Sequence, residues 1–207
     1  MANSTPSKTH PKTFCRNGYR AFVLVFGVVL GFPALADFAS AKAAYDAGDY
    51  DAAHEQFLYL AETGDPSSQT ILGVLYENGA GVAQNKLEAV KWYRLAAEQG
   101  NVAAQTNLGF MFDSGSGVPE DNTKAVKWFE AAARQGGELA QYNLGSLYSK
   151  GEGVEKDMSE AVRWYQSAAD QGFVAAQLKL AEIYGKGEGV EKDSKAAKLF
   201  EPTSTIT

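Results

Sequence analysis

Residues of the same kind recur every 36 positions through most of this chain of 207 residues. Glutamines stand at 69, 105, 141 and 177, and tryptophans stand at 92, 128 and 164. Gly-x-Gly-Val segments occupy 79–82, 115–118, 151–154 and 187–190. Each segment is followed by an acid or amide residue: Asn85, Asp121, Asp157 and Asp193. A unit of this length cannot bury its apolar face alone, but stacked units can. The chain is therefore predicted to fold as a repeat array.

Each unit is predicted to consist of two helices, A and B. In the second copy Leu108 and Phe112 lie on one stripe of helix A, and Trp128 and Ala132 lie on one stripe of helix B. Glycines turn the chain between the helices, and Asp121 is placed to cap helix B. The predicted repeat core comprises Trp92, Trp128, Trp164, Leu72, Leu108, Leu144, Gly73, Gly109 and Gly145. On this basis we expect Trp128→Ala to cost about 3 to 5 kcal/mol.

The repeat also predicts the domain organisation of an all-α chain. A shorter relative of the unit precedes the first full copy, because Tyr45 and Ala53 are eight residues apart where Tyr76 and Ala89 are thirteen apart. The predicted segments are a sorting signal at 1–36, a tetratricopeptide-like hairpin at 37–66, full repeats at 67–102, 103–138 and 139–174, and a truncated repeat with a short tail at 175–207.

The first 36 residues have the order of a secretory signal peptide. Four basic residues and no acid precede an apolar run at 21–32, and an Ala-x-Ala site ends at Ala36. A membrane anchor would need about 20 apolar residues, and a transit peptide would not be expected to have so compact an apolar run. We predict cleavage after Ala36, periplasmic or secreted localisation, and no stable membrane insertion of the mature protein.

The end of the fourth unit departs from the period. Pro202 stands where helix B should continue, so this helix is predicted to stop near residues 198–201. Phe200 and the face formed by Leu178, Leu180, Ile183 and Tyr184 should then be less covered than their upstream counterparts. Such an end is a candidate surface for homodimer formation.

The repeat, most complete at 103–136, resembles the Sel-one-like repeat (SLR) family over about residues 67–200. The resemblance implies a right-handed α/α superhelical solenoid, related to tetratricopeptide arrays, that serves as an adaptor for protein–protein contacts. Some secreted members carry a cysteine pair in each repeat. This chain has a single cysteine, Cys15, and would rely on packing alone.

Composition argues against most catalytic and nucleic-acid functions. The net charge is −6, and because the first 36 residues carry +4, the remainder carries −10. An acidic surface of this size disfavours nucleic acid as a partner. Beyond residue 36 there is no cysteine and one histidine, His54, so thiol catalysis, disulfides and zinc sites are excluded and no cofactor is predicted.

The candidate binding residues lie on helix A where the repeat leaves the residue type free. Positions equivalent to 106, 110 and 113 fall on one face opposite Leu108, and the family resemblance implies that helix A lines the concave side. The candidates are Thr70, Val74, Thr106, Phe110, Asp113, Tyr142, Ser146 and Glu182. Phe110 and Tyr142 are proposed as interface anchors.

The leading functional hypothesis is a non-enzymatic exported scaffold that binds a protein or peptide segment of an envelope or signalling partner in the concave groove. The alternative is a secreted hydrolase or glycan-binding protein that uses loop carboxylates such as Glu152 and Glu155. Loss of turnover or of glycan binding in Glu152→Gln/Glu155→Gln would favour this alternative. A purely oligomer-building role is the third possibility.

Overall fold

The computed structural model describes residues 37–200, and every regular element in this part of the chain is an α-helix. The helices are α1 (Phe38–Asp46), α2 (Tyr50–Glu62), α3 (Pro66–Asn78), α4 (Lys86–Glu98), α5 (Val102–Ser114), α6 (Asn122–Arg134), α7 (Glu138–Lys150), α8 (Met158–Asp170), α9 (Val174–Lys186) and α10 (Ser194–Leu199). Each helix packs mainly on the helices just before and after it in the chain. The predicted all-α class of helix–turn–helix repeats is confirmed.

The predicted signal peptide at 1–36 and the tail at 201–207 lie outside the described residues. Export and cleavage therefore stay predictions. Among the helices of residues 37–200, none is both long and apolar enough to cross a membrane.

Side-chain caps begin helix B at the predicted positions. Asp121 accepts a hydrogen bond of 3.0 Å from the backbone N–H of Lys124, and Asn85 accepts one of 3.1 Å from that of Glu88. The Glu88 carboxylate is only 2.6 Å from the ammonium of Lys91, which lies one turn further along α4. The cap at Asn85 is therefore one-sided: Asn85 accepts from the backbone of Glu88, and the Glu88 side chain pairs with Lys91 rather than reaching back to Asn85. The third repeat has the same arrangement at Asp157, Glu160 and Arg163.

The core of each repeat is centred on the aromatic residue that follows the tryptophan, which differs from the prediction. Leu72, Leu108 and Leu144 are fully buried as expected, and so are Tyr93, Phe129 and Tyr165 on helix B. Trp92, Trp128 and Trp164 are only partly buried and pack against the edges of the buried clusters. The tryptophans therefore support the core without forming its centre.

The helix A glycines explain which aromatic occupies the centre. A Cβ atom added at Gly109 would lie 2.7 Å from the ring of Phe129, closer than real Cβ contacts allow. The first and third repeats show the same approach, at 2.5 Å between Gly73 and Tyr93 and 2.9 Å between Gly145 and Tyr165. Glycine thus lets helices A and B approach each other closely, and the cost of glycine in a helix, about 1 kcal/mol, is offset by this packing.

Buried glutamines join each repeat to the one before it. Gln105 is 5% exposed, and its side-chain amide donates to the carbonyl of Ala97 on α4 at 3.1 Å. Its oxygen accepts a hydrogen bond of 2.8 Å from the amide of Gln135 at the end of α6. The same ladder is made by Gln69 with Ala61 and Gln99, and by Gln141 with Ala133 and Gln171. The recurring glutamine is therefore a structural link between neighbouring repeats.

The last hairpin is better covered than the sequence predicts. α10 ends at Leu199, as the proline suggested, but Leu180 and Ile183 are fully buried. Tyr184 stacks on Phe200 with ring centroids 5.9 Å apart. Val174, Leu178 and Leu199, which are 52%, 52% and 83% exposed, are the large apolar side chains that this end leaves open.

Candidate binding face

The predicted binding residues fall on one side of α3, α5, α7 and α9, called here the A-helix face. It comprises Val74, Glu77, Asn107, Phe110, Asp113, Tyr142, Asn143, Ser146, Ser149, Leu178, Lys179 and Glu182. The 13-residue helices repeat at 36 residues, so equivalent positions of successive helices follow one another along the array. The face is therefore built by repetition, while its chemistry changes from repeat to repeat.

Two of the predicted contact residues do not belong to the accessible part of this face. Thr70 and Thr106 are buried. Their hydroxyl groups donate to the carbonyls one turn earlier, Pro66 at 2.7 Å and Val102 at 2.8 Å. These threonines satisfy the helix backbone, so their predicted role in partner binding is wrong.

The two predicted aromatic anchors are half-buried and rest on the core. The ring of Phe110 meets that of Phe129 edge to face with centroids 5.1 Å apart. Tyr142 lies between Tyr165 and Phe173, with centroids 5.5 Å and 5.4 Å away. Packing of this kind holds an aromatic side chain in one orientation. Both residues therefore present a fixed ring surface on the A-helix face rather than projecting freely from it.

A hydrogen bond between a carboxylate and a buried tyrosine lies at the start of the face. The hydroxyl of Tyr93 donates to the carboxylate of Glu77 at 2.7 Å, with the side-chain amide of Asn107 close by. Burial and the Glu77 carboxylate raise the pKa of Tyr93, so the phenol keeps its proton. Sequence reasoning placed Glu77 on this face, as the equivalent of Asp113, but missed Tyr93 and the hydrogen bond between the two.

Hydroxyl groups and a lysine occupy the corresponding part of the third repeat. The phenol of Tyr165 lies among the hydroxyls of Ser146 and Ser149 and near the ammonium of Lys179. Burial is the main cause that raises the pKa of Tyr165. This end of the face therefore offers several hydrogen-bond donors around one buried phenol.

Glu182 lies between two lysines on α9. Its carboxylate is 2.6 Å from the ammonium of Lys186 and 2.9 Å from that of Lys179. These bonds lower the pKa of Glu182 to about 2, so it is ionised at any physiological pH. Because both neighbours already neutralise it, Glu182 is a poor candidate for a direct contact with a partner.

Asp113 is a half-buried carboxylate in the middle of the face. Burial raises the pKa of this carboxyl group, and its charged neighbours are Lys150, Glu152 and Glu120. Unlike Glu77, it accepts no side-chain hydrogen bond within the described part of the chain. Among the carboxylates of this face, Asp113 is therefore the one without a side-chain donor in residues 37–200.

His54 and the loop carboxylates are the remaining titratable residues that the sequence singled out. No group of three or more histidine, cysteine or acidic side chains that could hold a metal ion occurs among residues 37–200. His54 is partly buried against Tyr76, with ring centroids 5.4 Å apart, and burial lowers its pKa. In the loop between α7 and α8, Glu152 pairs with Lys150 at 3.3 Å and Asp157 caps α8. Glu152 therefore has a salt-bridge partner, and Asp157 satisfies a backbone N–H at the start of α8.

Comparisons with known proteins agree with the repeat architecture. The model of the family described as Sel1 repeat matches residues 66–101, 102–137, 139–173 and 174–202. No curated protein matches the chain.

Solved structures give the same result. The chain is 35% identical to c5321 of uropathogenic Escherichia coli, a protective antigen displaying an SLR fold, over 78% of this chain and 37% of that one, with a TM-score of 0.72. It is 34% identical to a Sel1 repeat protein from Oxalobacter formigenes, over 78% and 64% of the two chains, with a TM-score of 0.74. A sel1 repeat protein from Klebsiella pneumoniae, 20% identical over 79% and 81% with a TM-score of 0.52, shares the fold. The chain thus spans less than two thirds of the length of the first two proteins.

Proposed function

This chain belongs to the Sel1 repeat family, whose members generally mediate protein–protein interaction, and we propose that it binds a peptide segment or domain of another protein on the A-helix face. The observation that carries the proposal is the variation of this face over a constant core. Leucine and glycine are the same in repeats 1 to 3, whereas the equivalent face residues are Val74, Phe110 and Ser146. Scaffolds of this family are generally not catalytic, so binding is the activity proposed.

The proposal extends to the cellular setting. The chain acts after export, in the periplasm or outside the cell, as an adaptor or regulator of an envelope or signalling partner. The support is the order of basic residues, apolar run and Ala-x-Ala site in residues 1–36. We expect the protein recovered from a periplasmic or culture fraction to begin at Asp37. N-terminal sequencing that finds Met1 or Ala2 on the exported protein would contradict cleavage.

Self-association at the last hairpin is a further element of the proposal. Leu199, which is 83% exposed on α10 and lies outside the A-helix face, would be covered there in a symmetric pair. Light scattering of the purified chain should then give twice the monomer mass. A strictly monomeric sample would leave the A-helix face as the sole proposed interface.

Two exposed leucines allow a matched test of the binding face. Leu178 on α9 and Leu95 on α4 are 52% and 46% exposed, but only Leu178 lies on the A-helix face. We expect Leu178→Glu, and Asn143→Arg in the middle of the face, to reduce recovery of specific partners about tenfold or more, because the new charge must be desolvated at the interface. Leu95→Glu should behave as the wild type in the same quantitative pull-down.

Circular dichroism provides the control for folding, because all three substitutions are at surface positions and should leave helix content unchanged. Identical sets of captured proteins for the wild type and the three variants would show that partners bind elsewhere on the array.

A further inference from the structure

Two positions that are in contact with each other, those of Glu77 and Tyr93 in the first repeat, hold different residues in the three full repeats. In the first, the hydroxyl of Tyr93 donates to Glu77 at 2.7 Å. In the third, the hydroxyl of Tyr165 lies beside Ser149. The second repeat has Asp113 in the position of Glu77 and Phe129 in the position of Tyr93. The middle repeat thus keeps the carboxylate but lacks the hydroxyl group that would donate to it.

The position of Asp113 in its helix makes its negative charge unfavourable unless a cation lies close by. Asp113 lies in the last turn of α5, where the unpaired carbonyl groups carry partial negative charge and disfavour an anion. The equivalent turns of α7 and α9 carry Lys150 and Lys186 instead. The ammonium of Lys150, which lies near Asp113, is already 3.3 Å from the carboxylate of Glu152. Among residues 37–200, no cation is therefore dedicated to Asp113.

An aromatic ring lies on the same side of α5. Phe110 precedes Asp113 by three residues, so the two side chains share one face of the helix. Contact with Phe129 fixes the ring of Phe110, which stays partly exposed. A carboxylate beside a fixed aromatic ring suits a cationic side chain, because the cation can bond the carboxylate and lie over the ring.

We infer that Asp113 and Phe110 form a specificity site for a basic side chain of the partner segment, an inference that rests on the proposed function. Arginine is the better fit, since its planar guanidinium group donates to a carboxylate through two N–H groups and stacks on aromatic rings. The net charge of −10 beyond residue 36 favours the approach of a basic segment over the whole surface.

Three sets of nine-residue peptides test the inference. They share randomised flanking residues and differ at the central position, which is arginine, norleucine or glutamate. Binding to the purified full chain is measured at low salt and again at 0.15 M salt, to reduce the long-range attraction. We expect the arginine set to bind best at both salt concentrations. Asp113→Asn should weaken binding of this set about tenfold or more, since a hydrogen bond between charged groups is lost.

Two further variants separate direct contact from net charge. Asp170→Asn removes an aspartate from the last turn of α8, off the A-helix face, and should leave the preference for arginine unchanged. Asp113→Glu/Phe129→Tyr rebuilds the Glu77–Tyr93 pair in the middle repeat and keeps the negative charge. It should lose the arginine preference, because the tyrosine hydroxyl then competes for the carboxylate.

The outcomes distinguish this inference from the proposed function. Equal binding of the three sets, or an arginine preference that survives Asp113→Asn, overturns the inference and leaves peptide binding by the face intact. An equal loss in Asp113→Asn and Asp170→Asn also overturns it, since the effect would then reflect net charge. No binding of any set overturns the inference and restricts the proposed function to partners that are folded domains.

Discussion

Phe129→Ala is expected to lower the free energy of unfolding by about 3 to 5 kcal/mol. Phe129 is 1% exposed, packs edge to face on Phe110, and fills the space that Gly109 leaves on α5. Alanine would leave a cavity between α5 and α6. The two helices cannot move together to fill it, because each is also held by a neighbouring repeat. Urea unfolding followed by circular dichroism measures the loss.

Trp128→Ala is the control with which the loss of stability in Phe129→Ala is compared. The expectation from sequence alone was about 3 to 5 kcal/mol for this tryptophan. Because Trp128 is only partly buried, the structure predicts a smaller loss, of about 1 to 2 kcal/mol, in proportion to the apolar area removed from water. A loss in Trp128→Ala equal to or larger than that in Phe129→Ala would contradict the core described here.

The neighbours Trp128 and Phe129 show how much of the core could be predicted from the sequence. The period locates the aromatic stripe of helix B, on which Trp128 and Phe129 both lie, and the recurrence of tryptophan every 36 residues favours Trp128 as the core residue. The deciding information was the glycine on the facing helix. Gly109 and Phe129 are twenty residues apart, and the same interval joins Gly73 to Tyr93 and Gly145 to Tyr165. A glycine paired with an aromatic at a constant interval is a signal of close helix packing that the sequence already contained.

The binding face was harder to predict because a helical wheel describes one helix without its neighbours. The wheel correctly places Thr106 and Phe110 on the side opposite Leu108. In the array each helix A is flanked by helices of its own repeat and of the preceding one, which bury Thr106 and cover half of Phe110. Burial at such positions depends on packing between repeats, which the periodicity of a single helix does not contain.

Asp113 illustrates the same limit at the level of chemistry. The sequence identified it as one of eight candidates with no feature that separated it from the others. Its distinction depends on a contact in another repeat, the hydrogen bond from Tyr93 to Glu77, and on the phenylalanine that replaces the tyrosine beneath it. Once that contact is known, aligning the chain with itself at 36 residues is enough to find the difference.

Gly117→Ala is expected to lower the free energy of unfolding by about 2 to 5 kcal/mol. The contact responsible also explains the second glycine of each Gly-x-Gly-Val segment. Gly117 has a φ of 72°, where a side chain costs about 1 to 2 kcal/mol. A Cβ atom there would also lie 2.5 Å from the carbonyl oxygen of Lys86, at the start of α4 in the preceding repeat. Forcing the two backbones apart adds about 1 to 3 kcal/mol.

Gly136→Ala is the matched control for that substitution. Gly136 has a φ of 91°, but a Cβ atom there would meet nothing within 4 Å. It should lose only the conformational part, about 1 to 2 kcal/mol, in the same urea titration. Equal losses at the two glycines would mean that the loop moves freely away from Lys86. A larger loss at Gly117 would show that the loop between helices A and B is held against the preceding repeat. Gly81 and Gly153 approach Tyr50 and Asn122 in the same way. The second glycine of the motif would therefore serve contact between repeats, whereas Gly136 would serve only the turn within its own repeat.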